Sequence, residues 1–206
     1  MKTFDDLGYE VVRNAISTDL AKFISTEFEM VKETAYLLNN VSKDTPNAFC
    51  DNQIPESFAW YAPFCFETLS LHIQPIVERV TGTKLYPTYS YGRIYNNGAE
   101  LVKHKDREGS EFAVTICLQN DDEPWDIFFT DKTGNDVGLT MNPGDICVYR
   151  GSELVHWREQ YQGSKQIQAF CFYVSVDGQF SWMKYDTRPA LGMPNGTKQV
   201  WGQKVE

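Results

Sequence analysis

The residues best suited to chemistry stand in the stretch AELVKHKDREG, residues 99–109, which alternates apolar and polar side chains as a strand does. Side chains two apart in a strand point the same way, so His104 and Asp106 share one face while Lys103 and Lys105 share the other. Unpaired lysines are rarely buried, so we expect the histidine and the aspartate to point inward. A buried carboxylate needs a partner or a metal ion. The pair therefore predicts part of a metal site.

His156, in the stretch GSELVHWRE, is the candidate for a third ligand, because it is the only other histidine in the β-rich part of the sequence. Two histidines and one carboxylate occupy one triangular face of an octahedral ion and leave three positions open. That arrangement is associated with non-haem Fe(II) oxygenases. We therefore predict a metal centre formed by His104, Asp106 and His156.

Two amphipathic helices are expected before the β-rich part. Apolar side chains that recur every three or four residues predict one helix from about residue 18 to 38 and another from roughly 66 to 81. From Lys84 onward, seven or eight short strands separated by turn signals indicate a sandwich or barrel. We expect NNG at 96–98 to close a hairpin and NPGD at 142–145 to form a type II turn.

Two segments lack a clear period. The stretch 39–64 carries Asn, Asp, Ser and three prolines, and a connection of this length is usually functional or mobile. It is either a wall or lid over a site or a plain surface loop. Residues 179–206 form a C-terminal tail whose last part, RPALGMPNGTKQVWGQKVE, is rich in turn residues, and the tail either wraps the barrel through Trp201 or is partly loose. We therefore expect a single domain with an N-terminal strand and supporting helices (1–83), a β core (84–178) and a tail.

Composition argues against several classes of function. The 206 residues are 42% hydrophobic and 23% charged, and the formal net charge is −9. An acidic chain is poorly suited to a nucleic-acid partner or to an anionic membrane surface, and no apolar run approaches a membrane span or a leader. The five cysteines form no C-x-x-C pair, and Cys117, Cys147 and Cys171 stand in apolar runs, as buried thiols would. We expect a reduced, cytoplasmic protein.

In its β-rich part the sequence resembles the Fe(II)- and 2-oxoglutarate-dependent dioxygenases, and among them the prolyl 4-hydroxylase-like branch. The resemblance is carried by Tyr95, Gly98, His104 and Asp106, followed by a Pro-Gly-Asp turn, by His156 and by a basic residue at the start of the last strand. It covers most of the chain. It implies a β-rich α+β fold, a double-stranded β-helix (jelly-roll, cupin-like) barrel with the N-terminal helices packed on one sheet.

The same resemblance implies an activity and its cofactors. Fe(II) would be bound by His104, Asp106 and His156, with 2-oxoglutarate as cosubstrate, O2 as oxidant and ascorbate as a further ligand. The reaction would hydroxylate an unactivated C–H of a small molecule or of a peptide, prolyl or another amino-acid residue, and release succinate and CO2.

The resemblance also implies a cation for the distal carboxylate of 2-oxoglutarate. The usual position in this branch lies nine residues past His156 and is Lys165 here. Lys165 shares its strand face with the small residues Ala169 and Cys171, which would leave room for a cosubstrate. Arg158 is the competitor, because it shares a face with His156 and a guanidinium grips a carboxylate with two hydrogen bonds.

Aromatic residues are further candidates to line the pocket. Tyr95 matches the position where the branch places a hydroxyl on the same carboxylate, and Tyr91 and Arg93 fall on its strand face. A structural ladder of aromatic side chains explains the tyrosines as well. Trp125 and Trp157 are candidates for a substrate wall or for core and surface positions.

The sequence departs from the branch in one respect and leaves rival functions open. The segment NDDEPWDIFFTDKTGNDVG, which follows the H-x-D strand, lacks the Gly-Gly that prolyl hydroxylases usually carry there, and this puts a prolyl substrate in doubt. A non-catalytic jelly roll that binds a metal or small ligand is the main rival. A zinc hydrolase would need a general base, for which only Glu111 and Glu153 offer themselves. A nucleic-acid demethylase is disfavoured by the charge.

Overall fold

A computed structural model describes residues 3–42, 45, 48–121 and 123–194. Its longer helices precede most of the strands, as predicted. The elements in chain order are α1 (Phe4–Leu7), β1 (Tyr9–Val12), α2 (Thr18–Leu38), β2 (Ser57–Tyr61), α3 (Phe64–Thr81), β3 (Leu85–Asn96), β4 (Leu101–His104), β5 (Phe112–Gln119), β6 (Ile127–Thr130), β7 (Asp136–Leu139), β8 (Ile146–Tyr149), β9 (His156–Arg158) and β10 (Lys165–Ser175), with short 3-10 segments at Glu108–Ser110 and Ser181–Thr187.

The strands form two antiparallel sheets that face each other. The larger has the order β1-β8-β5-β10-β3-β2, and the smaller has the order β4-β9-β6-β7. An apolar core fills the space between them, with Cys117 and Tyr149 from the larger sheet packed among Ile127 and Phe129 from the smaller. The predicted β-rich α+β barrel, with its N-terminal helices on one sheet, is confirmed.

The larger sheet is covered on both faces, which explains why its central strands read as continuous apolar runs. Alternate residues of β5 point to different cores. Val114 and Ile116 pack in the core that also holds Ile24 and Phe28 of α2, while Cys117 faces the smaller sheet. The site is therefore confined to the inner face, between the sheets.

The predicted helix bounds are close to the observed ones. α2 begins at Thr18, as predicted, because the Ser17 hydroxyl accepts a hydrogen bond from the Leu20 N–H at 3.1 Å and caps the helix. α3 starts two residues earlier than predicted and ends at Gly82, whose φ of 66° is a left-handed cap.

The turn predictions had mixed outcomes. In the segment 142–145, Gly144 has a φ of 97°, as a type II turn requires, and an added Cβ would lie 2.5 Å from the Ile16 carbonyl oxygen. The hairpin predicted at 96–98 was wrong, because this turn carries the chain from β3 in the larger sheet to β4 in the smaller.

The N-terminal region contributes more to the barrel than the sequence indicated. β1 and β2 lie outside the predicted core of 84–178, yet they form the two edges of the larger sheet. β2 was missed, because it lies within the 39–64 segment, whose composition is that of a loop. Trp201 lies outside the described residues.

Cys117, Cys147 and Cys171 are buried free thiols, as predicted. Among the described residues, no helix combines the length and the apolar character that a membrane crossing requires.

Candidate metal centre and its pocket

The pairing of β4 with β9 sets two of the predicted ligands side by side. The strands run antiparallel, and His104 pairs directly with His156. The centroids of the two imidazole rings lie 4.2 Å apart. Directly opposed residues project from the same face of a sheet, and this face looks into the barrel, since His156 is only 2% exposed.

Asp106 reaches the same point from the segment that leaves β4. Its backbone N–H donates to the Gly151 carbonyl at 2.9 Å, which fixes the chain just beyond the strand. Its Oδ1 atom lies 3.7 Å from His104 Nε2 and 3.6 Å from His156 Nε2. One donor atom from each residue lies within 4.8 Å of the others. The structure thus brings the three predicted ligands to one point.

Both imidazoles are oriented for a metal by the backbone. His104 Nδ1 lies 2.9 Å from the Val102 carbonyl oxygen, and His156 Nδ1 lies 3.1 Å from that of Leu154. A carbonyl only accepts, so each Nδ1 carries the proton and each Nε2 presents a lone pair. Hydrogen bonds of this kind orient metal-ligating histidines and raise their basicity.

Burial gives these three side chains the electrostatics of a cation site. Desolvation raises the pKa of Asp106 to about 7. It lowers the pKa of His156 to about 3, an effect to which the neighbouring His104 adds, and it also lowers the pKa of His104. A bound divalent cation favours the carboxylate and the neutral imidazoles that ligate it. The donor set and the environment both fit a metal ion, and a 2-His-1-carboxylate set fits Fe(II).

A buried guanidinium lies beyond the three ligands. Arg158 is only 1% exposed, and its Nη1 donates to the Trp125 carbonyl at 2.8 Å. Its Nε and Nη2 atoms have no hydrogen-bond partner among the described residues. The guanidinium carbon lies 4.8 Å from the centre of the Trp125 ring, and burial lowers the Arg158 pKa. An isolated buried cation is costly, so this arrangement favours an anionic ligand.

Two further donors in this region also lack partners. The Tyr95 hydroxyl and the Gln168 side-chain nitrogen are buried without a hydrogen bond to any described residue. Gln168 Oε1 accepts from the Thr115 hydroxyl at 3.1 Å, which leaves the NH2 group as its spare donor. The Tyr95 ring packs edge-on against Trp125, with centroids 4.8 Å apart. Natural interiors rarely leave several donors unsatisfied, so this cluster also fits an oxygen-rich anion.

Lys165 does not join this cluster, and its face of β10 packs against the helices instead of the space between the sheets. Lys165 is 39% exposed and pairs with Glu29 of α2, its Nζ lying 2.5 Å from Oε1. The small residues that it shares a face with, Ala169 and Cys171, belong to the core beneath α2 and α3. They make room for helices rather than for a cosubstrate.

The segment 39–64 supplies a wall, one of the two predicted alternatives. Asp51 Oδ2 accepts from the Tyr91 hydroxyl at 2.8 Å, and from Arg93 Nε at 3.1 Å and Nη2 at 2.5 Å. Tyr91 and Arg93 thus face the barrel interior, as predicted, but they lie at its opening. Tyr91 is engaged there with Asp51 rather than with the triad.

The two tryptophans considered for a substrate wall lie in different places. Trp125 is inside the barrel against Arg158. Trp157 is on the outer face of the smaller sheet, where it stacks on Phe128 with centroids 5.4 Å apart and packs under Lys103. Trp157 therefore lines no pocket at the triad.

The C-terminal segment crosses the opening of the barrel. Asp186 receives two hydrogen bonds from Arg107, at 2.8 and 2.7 Å, and one from the Tyr61 hydroxyl at 2.7 Å. Arg188 forms a buried pair with Glu67, 2.7 Å between Nη2 and Oε1. Residues 185–187, at and next to these anchors, all have φ of 55–61°. Non-glycine residues adopt this left-handed conformation only where the surrounding structure imposes it.

Sequence reasoning missed several residues of the site. Gln168 carried a signal, a polar side chain inside the apolar run IQAFCFYV, but it falls on the face of β10 opposite Lys165, which was not considered for the site. Gly151 carried none. An added Cβ there would lie 2.6 Å from Asp106 Oδ2 and 2.5 Å from the Ser110 carbonyl oxygen, and this crowding arises between segments that are distant in sequence.

The chain shares its fold with solved 2-oxoglutarate-dependent oxygenases at low sequence identity. HygX from Streptomyces hygroscopicus, solved with nickel, 2-oxoglutarate and hygromycin B, is 12% identical with a TM-score of 0.65, over 84% of this chain and 85% of that one. A prolyl-4-hydroxylase from Pseudomonas putida is 10% identical with a TM-score of 0.63, over 84% and 95%. SnoN, a non-haem α-ketoglutarate-dependent epimerase from nogalamycin biosynthesis, is 13% identical with a TM-score of 0.62, over 96% and 90%.

No protein-family model and no curated protein matches the sequence. At these identities the likeness establishes the fold. The chain is a double-stranded β-helix protein with the architecture of the 2-oxoglutarate-dependent oxygenases, and the predicted resemblance is confirmed at that level.

Loss of one predicted ligand should remove metal binding. Because two donors hold a divalent ion poorly, we expect His104→Ala and Asp106→Ala each to lower the affinity for Ni(II) by at least about 100-fold, measured by titration calorimetry. His72→Ala is the matched control, since it removes the remaining histidine, exposed on α3. Wild-type Ni(II) affinity in both ligand variants would show that the triad does not bind the ion.

Gly151→Ala should weaken the same centre without touching a ligand. The new methyl group displaces the Asp106 carboxylate or the chain beside it, so we expect the Ni(II) affinity to fall by about 10- to 100-fold. The neighbouring Ser152→Ala should leave it unchanged. An unaltered affinity in Gly151→Ala, with the variant folded by circular dichroism, would contradict this account of the Asp106 position.

Proposed function

We propose that the chain is an Fe(II)- and 2-oxoglutarate-dependent dioxygenase that oxidises an unactivated C–H bond and releases succinate and CO2. One observation carries the proposal: a metal-ligand triad converges beside a buried arginine that has spare donors and no carboxylate partner among the described residues. The shared fold of 2-oxoglutarate-dependent oxygenases supports it. Fe(II) bound together with 2-oxoglutarate would supply the O2 activation that couples loss of CO2 to oxidation of the substrate.

His104, Asp106 and His156 would hold the iron and leave three positions free. Asp106 supplies the negative charge, and the two neutral imidazoles keep their Nε2 lone pairs directed at the ion through their backbone hydrogen bonds. The backbone bond from Asp106 to Gly151 keeps the carboxylate in place.

Arg158 would hold the distal carboxylate of 2-oxoglutarate, in the role first expected of Lys165. It follows His156 by two residues on one strand face, a separation of about 6–7 Å along the strand. That distance is comparable with the length of a five-carbon diacid whose oxo-acid end lies at the metal. Tyr95 and Gln168 would add hydrogen bonds from donors that are otherwise unpartnered.

The primary substrate is a separate question, because one fold serves several reactions. The neighbours include a protein solved with hygromycin B, a prolyl-4-hydroxylase and an epimerase. A prolyl substrate is one candidate that the second of these supports. The absent Gly-Gly segment and the cavity described below favour a small molecule instead.

Succinate formation tests the proposed chemistry. With Fe(II), 2-oxoglutarate, ascorbate as reductant and air, the protein should form succinate slowly even without a primary substrate. Zn(II) in place of Fe(II) should give none, and neither should Asp106→Ala. A chain that binds Ni(II) and 2-oxoglutarate but forms no succinate under any condition would instead be a non-catalytic jelly roll.

Arg158→Met and Lys165→Met should separate the two candidate anchors. Loss of a buried charge partner typically costs several kcal/mol, so the 2-oxoglutarate affinity of Ni(II)-loaded Arg158→Met should fall by about 100-fold. The melting temperature of the metal-free variant should rise, because the uncompensated cation is gone. Lys165→Met should bind 2-oxoglutarate as the wild type does. The opposite order would return the anchor to Lys165.

A further inference from the structure

A cavity of about 810 Å³ opens at the mouth of the barrel. This mouth cavity is lined by the wall segment at Asp51–Gln53, by aromatic side chains of β2, β3 and β10, by Arg93 and Arg107, and by the crossing segment from Trp182 to Thr187. Its volume lies in the range of sites for small molecules, which is roughly 300–1,000 Å³.

The mouth cavity lies beside the candidate metal centre. Arg107 directly follows the ligand Asp106 in the chain. Arg93 is near enough that its charge acts on both His104 and Asp106. Arg107 lines the cavity, so a molecule held there would lie near the carboxylate ligand that precedes it in the chain.

Aromatic rings form one wall of the cavity. Tyr61 stacks on Tyr89 at 5.6 Å between centroids and 13° between planes, and Tyr89 stacks on Phe172 at 4.3 Å and 24°. Trp182, on the crossing segment, is 61% exposed although it is large and apolar. Surfaces of this kind bind rings with apolar faces, because aromatic side chains bury much area with little loss of side-chain freedom.

The charges in the cavity cancel in pairs. Asp51 is paired with Arg93, and Asp186 is paired with Arg107, so two anions face two cations. A charged ligand would lose hydration without finding a free counter-ion among the described residues. The cavity therefore favours an uncharged ligand and disfavours a free amino acid, which carries two charges.

Hydrogen-bond acceptors in the cavity are largely occupied. Asp51 accepts five hydrogen bonds, from the backbone N–H groups of Gln53 and Ile54 and from Tyr91 and Arg93. Gln53 Oε1 accepts from Arg93 Nη2 at 2.7 Å, which leaves the side-chain NH2 group of Gln53 as a donor. A peptide would bring backbone N–H groups, which can only donate and need acceptors, whereas ether and carbonyl oxygens accept what the cavity offers and a hydroxyl can accept as well as donate.

We propose that the primary substrate is an uncharged ring compound bearing ether, carbonyl or hydroxyl oxygens, bound between Trp182 and the aromatic wall of Tyr61, Tyr89 and Phe172. This inference rests on the proposed function for the chemistry, but its binding site is independent of it. Glycosides and oxygenated aromatics share this chemistry, and they are the two sources to be distinguished.

Four probes test the proposal: phenyl β-D-glucoside, a flavanone, an acetylated Gly-Pro-Gly amide and L-proline. Each is titrated by calorimetry into protein loaded with Ni(II) and 2-oxoglutarate, and assayed for stimulation of succinate formation with Fe(II). We expect the glucoside or the flavanone to bind and to stimulate, and the one that does so identifies the source. Binding of the peptide or proline alone, or of no probe, would overturn the proposal.

Variants locate the bound ring. Trp182→Ala should weaken the ring probe by about tenfold, the loss expected when a stacking partner is removed. Phe23→Ala is the matched control, because Phe23 is an aromatic residue of α2 that is 67% exposed outside the cavity. If the affinity for the ring probe is unchanged in Trp182→Ala, the probe binds elsewhere and the proposed site is refuted.

The two proposals can fail separately. Titrations are repeated without Ni(II) and 2-oxoglutarate, so ring binding at the mouth cavity is measured even if no probe yields succinate. If the ring probe binds but no succinate forms, the proposed dioxygenase activity is refuted and the proposed class of ligand is retained. If succinate forms but no ring probe binds, the proposed class of ligand is refuted and the proposed dioxygenase activity is retained.

Discussion

The register between β4 and β9 is the constraint on which the rest of the site depends. It sets His104 opposite His156, and it carries Arg158 into the interior two residues later on the same face. A slip of one residue would turn these side chains to the outer face. β6, on the other side of β9, supports the register by pairing Phe129 with His156. One strand pairing therefore specifies both the metal ligands and the candidate anion site.

The interior of the barrel holds two charges that do not neutralise each other. Asp106 lies beside two neutral imidazoles, and the Arg158 guanidinium donates a hydrogen bond to a neutral backbone carbonyl. Each is costly to bury alone. A divalent cation beside Asp106 and one carboxylate of a doubly negative oxo acid beside Arg158 would give each buried charge a counter-charge while the net charge stays zero. This balance explains why a chain would keep both a carboxylate with a raised pKa and a guanidinium with spare donors.

Local signals in the sequence were enough for some parts of this structure. The bounds of α2 follow from a serine cap and a regular apolar stripe. The inward direction of His104 and Asp106 follows from the alternation of this H-x-D pattern with Lys103 and Lys105, which belong on the solvent side, and His156 was the remaining histidine of the β-rich part. The side of the sheet on which Lys165 lies could not be predicted from such local signals. β10 is buried on both faces, so alternation does not say which side meets the helices. Small residues such as Ala169 leave room equally for a ligand or for a helix.

Other features depend on contacts between distant segments, which one sequence does not reveal. β2 has the composition of a loop and becomes a strand because the edge of β3 is available to it. Gly151 is required only because Asp106 and Ser110 come close to it in the folded chain. Asp186 faces Arg107 across 79 positions of sequence. Apolar side chains that repeat every two residues, or every three to four, indicate strands and helices. They carry no information on contacts between segments that are distant in sequence.

Two segments outside the sheets contribute to the mouth cavity, whereas the metal ligands stand on or beside paired strands inside the barrel. The Asp51–Gln53 wall and the Trp182–Thr187 crossing contribute no ligand to the triad. In the proposed enzyme, the reaction and the recognition of the substrate thus involve different parts of the molecule. Such a division would let a lineage, or a protein engineer, change the recognised ligand by exchanging two surface segments while the candidate metal centre stays intact.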